Sequence, residues 1–374
     1  MKIEFYKHNI DNVDICNSTK VLKGIFLTTG ETVAIFEKKL AKHLGVKYAL
    51  GLMSCTDALH LSLAYFNIGF GDEVITTPMT YAATLDAIEY VGAKPVLVDV
   101  EESTGNINTD LIESVITKKT KAIIPIHLYG HMCDMKKIRR IANKYKLKVI
   151  EDAAHCLEGK RDGVRPGQFG DVACFSFYAT KNITCGEGGA IATNNKDAYN
   201  WIKMASNHGA TKNVSERYGK AYGQYDKEFL GFKCNMSNIQ AALLLHQLDM
   251  VNKRLKKREK ICERYDKSFN NIKNLSTHKI LDNTVSARHL YTILVNEEHR
   301  TNIINQLYKH GVSTMINYCP VHLLKYYKEK YGFKKGDFPV AESIGRRTIT
   351  LPLYIKLKLD EINYIIKTII KVIN

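Results

Sequence analysis

The chain has 374 residues, 45% of them hydrophobic, and a formal net charge of +16. That length suggests two domains, or one large domain with an appendage, with apolar content enough for a sizeable core. No apolar run reaches the roughly 18–20 residues that cross a bilayer, and the opening "MKIEFYKHNIDNVDIC" lacks the apolar centre of a signal peptide, so a soluble, cytoplasmic protein is expected.

The nine cysteines include no CxxC pair. Their odd number and the size of the chain argue against a disulfide framework, and no metal site is expected. The basic balance invites a nucleic-acid reading, but the lysines are dispersed. The short cluster "NKRLKKREK", Asn252–Lys260, reads as the polar face of a helix.

In chain order, strands are expected at Lys47–Met53, Asp72–Thr77, Lys94–Val100, Lys121–His127 and Leu147–Asp152. Helices are expected between them at Thr56–Phe66, Tyr81–Val91, Asp110–Ile116 and Asp134–Tyr145. Apolar β-branched runs alternating with amphipathic helices predict βαβ units and a largely parallel sheet buried on both faces. "DVACFSFY" and "GGAIATN" add two strands around a turn that holds Lys181. A single long helix is expected from about Ile239 to Tyr265, followed by a smaller α+β portion with a strand at Arg288–Asn296. The boundary is placed near residue 245, giving a large domain over residues 1–245 and a smaller one over 246–374.

In an open α/β sheet, ligands bind outside the carboxyl ends of the strands, and three features fall there. Asp152 ends the strand "LKVIED"; it could cap a helix, or stand as a buried carboxylate opposite a protonated ring nitrogen, with His155 orienting it or merely structural. Ser54, Thr56 and Asp57 open an amphipathic helix in "MSCTDALHLSL", which is either simple capping or an anion site at a helix N-terminus. Lys181 sits in "FSFYATKNITCGEGGAI", where desolvation or a neighbouring cation would lower its pKa and make it a nucleophilic amine. An amine, an anion cradle and an acidic partner for a pyridine nitrogen together suit pyridoxal 5'-phosphate (PLP).

Over nearly its whole length the chain resembles the DegT/DnrJ/EryC1/StrS family of sugar aminotransferases. The matching segments are "LTTG", "SCTDALHL", "GDEVITTPMTYAAT", "KAIIPIHLYGHMCDM", "EDAAH", "GDVACFSFYATKNITCGEGGAI", "NHG", "GFKCNMSNIQAAL" and "YCPVH". The resemblance implies the type I aspartate-aminotransferase fold: a large domain with a mostly parallel seven-stranded sheet and a smaller C-terminal α+β domain. It implies Lys181 as the Schiff-base lysine, Asp152 as the pyridinium partner, Tyr81 as the aromatic stacked on the ring, and Thr56, Cys55 and Ser176 as phosphate-binding positions. Asn235 is then the residue that reaches the phosphate from the neighbouring subunit of a homodimer. His155 joins the cofactor-binding set, and Thr29, Tyr318 and His322 the substrate-binding set. Cys55, His131, Ser206 and Asn317 depart from the residues common in the family, the last near the expected nucleotide-sugar pocket.

The activity this implies is transfer of the amino group of L-glutamate to a nucleotide-linked 4-keto-6-deoxy sugar, with PLP passing through its pyridoxamine form and 2-oxoglutarate released. Amination at C-3 is the alternative: "CTDALHLSL" is similar to some such enzymes, whereas "KNITCGEGGA" is closer to C-4 enzymes. A PLP sugar dehydratase would carry His in place of Lys181. A non-enzymatic basic regulator would need a localised patch that the sequence does not show.

Overall fold

The computed structural model describes residues 1–211 and 226–373. Seven strands form the main sheet: β1 (Tyr48–Leu52), β2 (Glu73–Thr76), β3 (Lys94–Leu97), β4 (Thr120–Ile123), β5 (Lys148–Asp152), β7 (Val172–Ser176) and β8 (Gly189–Thr193). Between β5 and β7 lies the two-residue β6 (Lys160–Arg161). Their spatial order is β1-β8-β7-β5-β4-β2-β3. The pairs from β7 through β5, β4 and β2 to β3 are parallel; β8 runs antiparallel to both β7 and β1. This is the mostly parallel seven-stranded sheet expected of the type I PLP fold.

The strands are apolar at consecutive positions because both faces are covered. Val74, Ala122 and Ile150 pack on one side with Ala58, Leu59 and Leu63 of the helix Cys55–Tyr65. Their neighbours Ile75, Ile123 and Val149 point the other way, onto Ile138, Ile141 and Ala142 of the helix Met135–Tyr145. Successive side chains alternate across a strand, so each needs an apolar environment of its own.

A second core gathers Ile261, Tyr265, Phe269, Ile293, Ile349, Ile365 and, from the other end of the sequence, Ile3. Its sheet has the order β12-β11-β9, with β9 at Leu275–Thr277, β11 at Tyr291–Val295 and β12 at Thr348–Leu351. The short β10 (Thr284–Val285) pairs instead with β6. No helix among the described residues is long and apolar enough to cross a membrane.

Two expected helices differ. Asp110–Ile116 is only a single 3-10 turn at Glu113–Val115. Asn108 Oδ1 accepts from the Asp110 N–H at 3.0 Å and Ser114 Oγ donates to the Leu111 carbonyl at 2.7 Å, local bonds that compete with an α-helical ladder. The long helix is two, Asn238–Asp249 and Val251–Phe269, meeting at Met250. The break lets Ala241, Leu244 and Leu248 pack under the large sheet while Ile261, Tyr265 and Phe269 turn to the second core.

Candidate active site

The topology brings distant residues to one sheet edge. Parallel β5 and β7 deliver their last residues, Asp152 and Ser176, to the same side. Antiparallel β8 starts there with Gly189, opposite Leu52 at the end of β1. A cavity of about 1130 Å³ opens at this edge, lined by Cys55, Thr56, Tyr81, Asp152, Ser176 and Lys181 among others.

Asp152 is 7% exposed. Its Oδ2 accepts from Thr84 Oγ1 at 2.8 Å and its Oδ1 from the Ala154 N–H at 3.1 Å. Because Thr84 spends its proton on Asp152, the 2.8 Å contact between Thr80 and Thr84 has Thr80 as donor. Burial raises the carboxyl pKa, opposed first by the Thr84 and Ala154 hydrogen bonds and then by the charge of Lys181.

His155 lines the cavity but does not orient Asp152, which corrects one of the two readings of that residue. The Tyr129 N–H donates to its Nδ1 at 3.3 Å, so the ring proton is on Nε2 and is directed to Tyr318 Oη at 3.1 Å. Burial and the nearby Lys181 keep the ring neutral. Tyr318, also on the cavity wall, thereby has its hydroxyl oxygen fixed.

Lys181 follows β7 in a turn in which its own N–H donates to the Tyr178 carbonyl at 2.9 Å. Its amine makes no hydrogen bond or ion pair among the described residues. Burial pulls its pKa down to about 8, opposed by Cys55 and Asp152. Desolvation, not a second cation, is therefore the cause. The Cys55 thiol is pushed well up by burial and stays neutral.

The helix Cys55–Tyr65 starts at the cavity. Ser54 caps it, its Oγ accepting the Asp57 N–H at 3.0 Å. The Cys55 and Thr56 N–H groups have no intrahelical acceptor and carry the positive end of the helix dipole. Gly189 makes the close approach possible: a Cβ there would overlap the Ser54 carbonyl and the Cys55 nitrogen. Tyr81 is 67% exposed at the cavity, its ring centre 6.3 Å from that of Tyr318, which leaves a ring face available for stacking.

A buried carboxylate, an unpartnered amine, a helix N-terminus and a free aromatic face fit PLP. Asp152 would hold the ring nitrogen, the Cys55–Thr56 backbone with Ser176 the phosphate, Tyr81 the ring face, and Lys181 the aldehyde carbon.

Three expected residues lie elsewhere. Thr29 and Asn235 meet in a separate pocket of about 250 Å³, also lined by Glu37 and Lys203. There the Asn235 amide donates to Thr29 Oγ1, which donates to the Met236 carbonyl at 2.6 Å. His322 is a core residue, fully buried, with Nε2 3.1 Å from Glu342 Oε1 and its ring edge-on to Phe338. Its placement among the substrate contacts is corrected accordingly. Residues the sequence reading missed are Thr84, His289 and the segment Glu4–His8, all lining the cavity. Thr84 closes the motif "GDEVITTPMTYAAT", a signal that could have found it.

The fold and this constellation define a PLP-dependent transaminase. The chain belongs to the DegT/DnrJ/EryC1/StrS aminotransferase family, whose model matches residues 8–370, and it is a sugar aminotransferase. It is 38% identical to the spore coat polysaccharide biosynthesis protein SpsC of Bacillus subtilis, over 96% of this chain and 94% of that one. It is 33% identical to a UDP-4-amino-4,6-dideoxy-N-acetyl-beta-L-altrosamine transaminase of Campylobacter jejuni, over 98% and 97%. The structure superposes with a TM-score of 0.94 on the pyridoxamine-phosphate form of the putative sugar aminotransferase Spr1654 of Streptococcus pneumoniae, 33% identical over 99% of both chains.

Proposed function

We propose that this protein transfers the amino group of L-glutamate to C-4 of a nucleotide-linked 4-keto-6-deoxy sugar. The observation that carries the reading is one cavity holding both Lys181 and Asp152 and extending to Lys7, His8 and Lys356. The inner pair suits the chemistry; the outer lysines suit a diphosphate, and His8 can add a hydrogen bond. C-4 is supported by the position of the amine in the name of the Campylobacter relative and by "KNITCGEGGA".

Bound there, PLP supplies the sink for the electron pair released when the α-proton leaves. The protein's own work is proton handling and placement. Lys181, neutral above about pH 8, takes the proton from the donor carbon and returns one to the acceptor carbon. Asp152 holds its counter-charge through Thr84 and Ala154. Tyr318, fixed by His155, presents a hydroxyl to the sugar.

The protein acts as a cytoplasmic homodimer in this reading. Support comes from Thr29 and Asn235, which stand outside the Lys181 cavity of their own chain, and from the exposed Val13, Ile15, Leu22 and Ile25 just before Thr29. A division into residues 1–245 and 246–374 belongs to the same reading, and the break at Met250 close to it supports that division.

The test is the visible spectrum of the PLP-loaded protein before and after L-glutamate. Bleaching of the yellow band with release of 2-oxoglutarate, then product only from 4-keto sugars, is expected. Turnover of 3-keto sugars alone would replace C-4 by C-3; a stable band would remove glutamate as donor.

A further inference from the structure

Lys181 stands in an excursion of the chain between β7 and β8, closed at its base where the Cys185 N–H donates to the Phe177 carbonyl at 3.1 Å. Its amine has no hydrogen bond among the described residues, so the place of that amine is set by the backbone that carries it. Among the described residues, the hydrogen bonds that tie residues 178–184 to the chain outside 176–188 all involve the side-chain amides of Asn182 and Gln247.

Gln247 is fully buried in the last turn of the helix Asn238–Asp249. Its Oε1 accepts from the Thr184 N–H at 3.1 Å and its Nε2 donates to the Thr184 carbonyl at 2.7 Å. In an antiparallel ladder a residue exchanges both groups with the residue opposite; here one side-chain amide takes the place of that partner. Asn182 works from the other side of the excursion. Its Nδ2 donates to Glu158 Oε2 at 2.8 Å and to the Ala287 carbonyl at 2.9 Å. With the NH2 group so placed, its Oδ1 accepts from His289 Nδ1 at 3.2 Å. Glu158 is itself held by Arg258, whose Nη2 donates to Oε1. Ile183, between the two clamps, is 1% exposed in the core under the sheet. Apolar packing is non-directional, so the amides are what fix the register and plane of the peptides beside Lys181.

We propose that Asn182 and Gln247 are positioning residues for Lys181, their amides holding the backbone from which the reacting amine enters the cavity. It rests on Lys181 being the reacting amine. Neither amide lines the large cavity, so their contribution passes through the turn and not through contact with cofactor or substrate. A displacement of about 1 Å in a reacting group can cost about a hundredfold in rate, and a lysine with no partner at its amine has only its backbone to prevent one.

The test follows PLP loading of the PLP-free protein, and then the glutamate half-reaction, in Gln247→Met and Asn182→Leu. Tyr265→Phe is the control: it removes a buried hydrogen bond to the Pro352 carbonyl in the second core, away from the turn. In Gln247→Met, which keeps the length of the side chain but neither bond, loading should slow roughly tenfold. The limiting rate of the half-reaction should fall about ten- to a hundredfold. The glutamate concentration at half-saturation and the amount of bound cofactor should stay those of wild type, because no group that touches either has changed. Asn182→Leu should behave likewise, and Tyr265→Phe should load and react as wild type does. Wild-type rates in Gln247→Met overturn the proposal, as does a Tyr265→Phe protein slowed as much as Gln247→Met. If Gln247→Met does not fold, Asn182→Leu against Tyr265→Phe decides by the same criterion. Borohydride trapping of PLP on a residue other than Lys181 would remove the underlying reading and the proposal with it; trapping on Lys181 with unchanged rates removes the proposal alone.

Discussion

Thr84, on the helix Ala83–Tyr90, holds Asp152 Oδ2 at 2.8 Å from the opposite side of the site. Burial already raises the Asp152 pKa, and this hydrogen bond is the largest opposing influence. Thr84→Val should raise it further. The carboxylate must be ionised to hold a protonated ring nitrogen, so the acidic limb of the kcat/KM profile should move to higher pH. A hydrogen bond to a charged group is worth about 1.5–3 kcal/mol, so kcat/KM should fall roughly ten- to a hundredfold. A pH profile identical to wild type would assign Asp152 another role.

Lys181→Ala should abolish turnover, a loss of at least about 10²–10⁴ for the proton transfers alone, while the far-UV circular dichroism stays that of the native protein. PLP should still bind through the helix N-terminus and Asp152 but no longer be trapped by borohydride. Full activity in this variant would sink the assignment.

Loading of the PLP-free protein should depend on pH through the same amine. Only neutral lysine attacks the aldehyde, and burial holds the Lys181 pKa at about 8. The loading rate should rise as pH passes through that value and level off above it, well below the range where an ordinary lysine at 10.5 would titrate. Stopped-flow absorbance checks this.

The lysine and the carboxylate stood out as candidates in sequence because Asp152 ends an apolar strand and Lys181 follows one, so chain order alone brings both to the ligand edge. Thr84 lay in a quoted motif, but its bond to Asp152 exists only in the folded chain, and His289, which reaches the cavity through tertiary structure alone, had no such signal. His322 misled: a histidine in a matching motif was read as a contact, whereas Glu342 and Phe338 enclose it. The seven strands were legible from apolar runs, but the break at Met250 was not. Helical periodicity continues across it, and only the divergence of two cores reveals it.

Arg258→Ala should destabilise the protein by about 3–5 kcal/mol, because Glu158 is left buried without its cation. The double change Arg258→Met with Glu158→Gln should recover much of that loss, since no charge then remains buried. Urea unfolding of the three proteins checks both.

Mixing two inactive variants tests the shared site. If Asn235 serves the partner's cofactor, Lys181→Ala and Asn235→Ala mixed in equal amounts and allowed to exchange subunits should regain up to about a quarter of wild-type activity, through hybrids in which one site carries neither lesion. No recovery after demonstrated subunit exchange would confine Asn235 to its own chain.

The N-terminal segment has a bearing on how the enzyme matures. Ile3 pairs with Val312, the Ile3 N–H donates to the Gly311 carbonyl at 2.7 Å, and Glu4–His8 wall the cavity together with Ser313 and Lys356. Residues 3–8 must therefore wait for partners that leave the ribosome long after them. The main sheet can assemble while the ribosome is still extending the chain, but the cavity cannot close until Val312 and Ser313 have emerged. A nascent chain stalled before Val312 would carry the lysine and the carboxylate without that wall of their cavity.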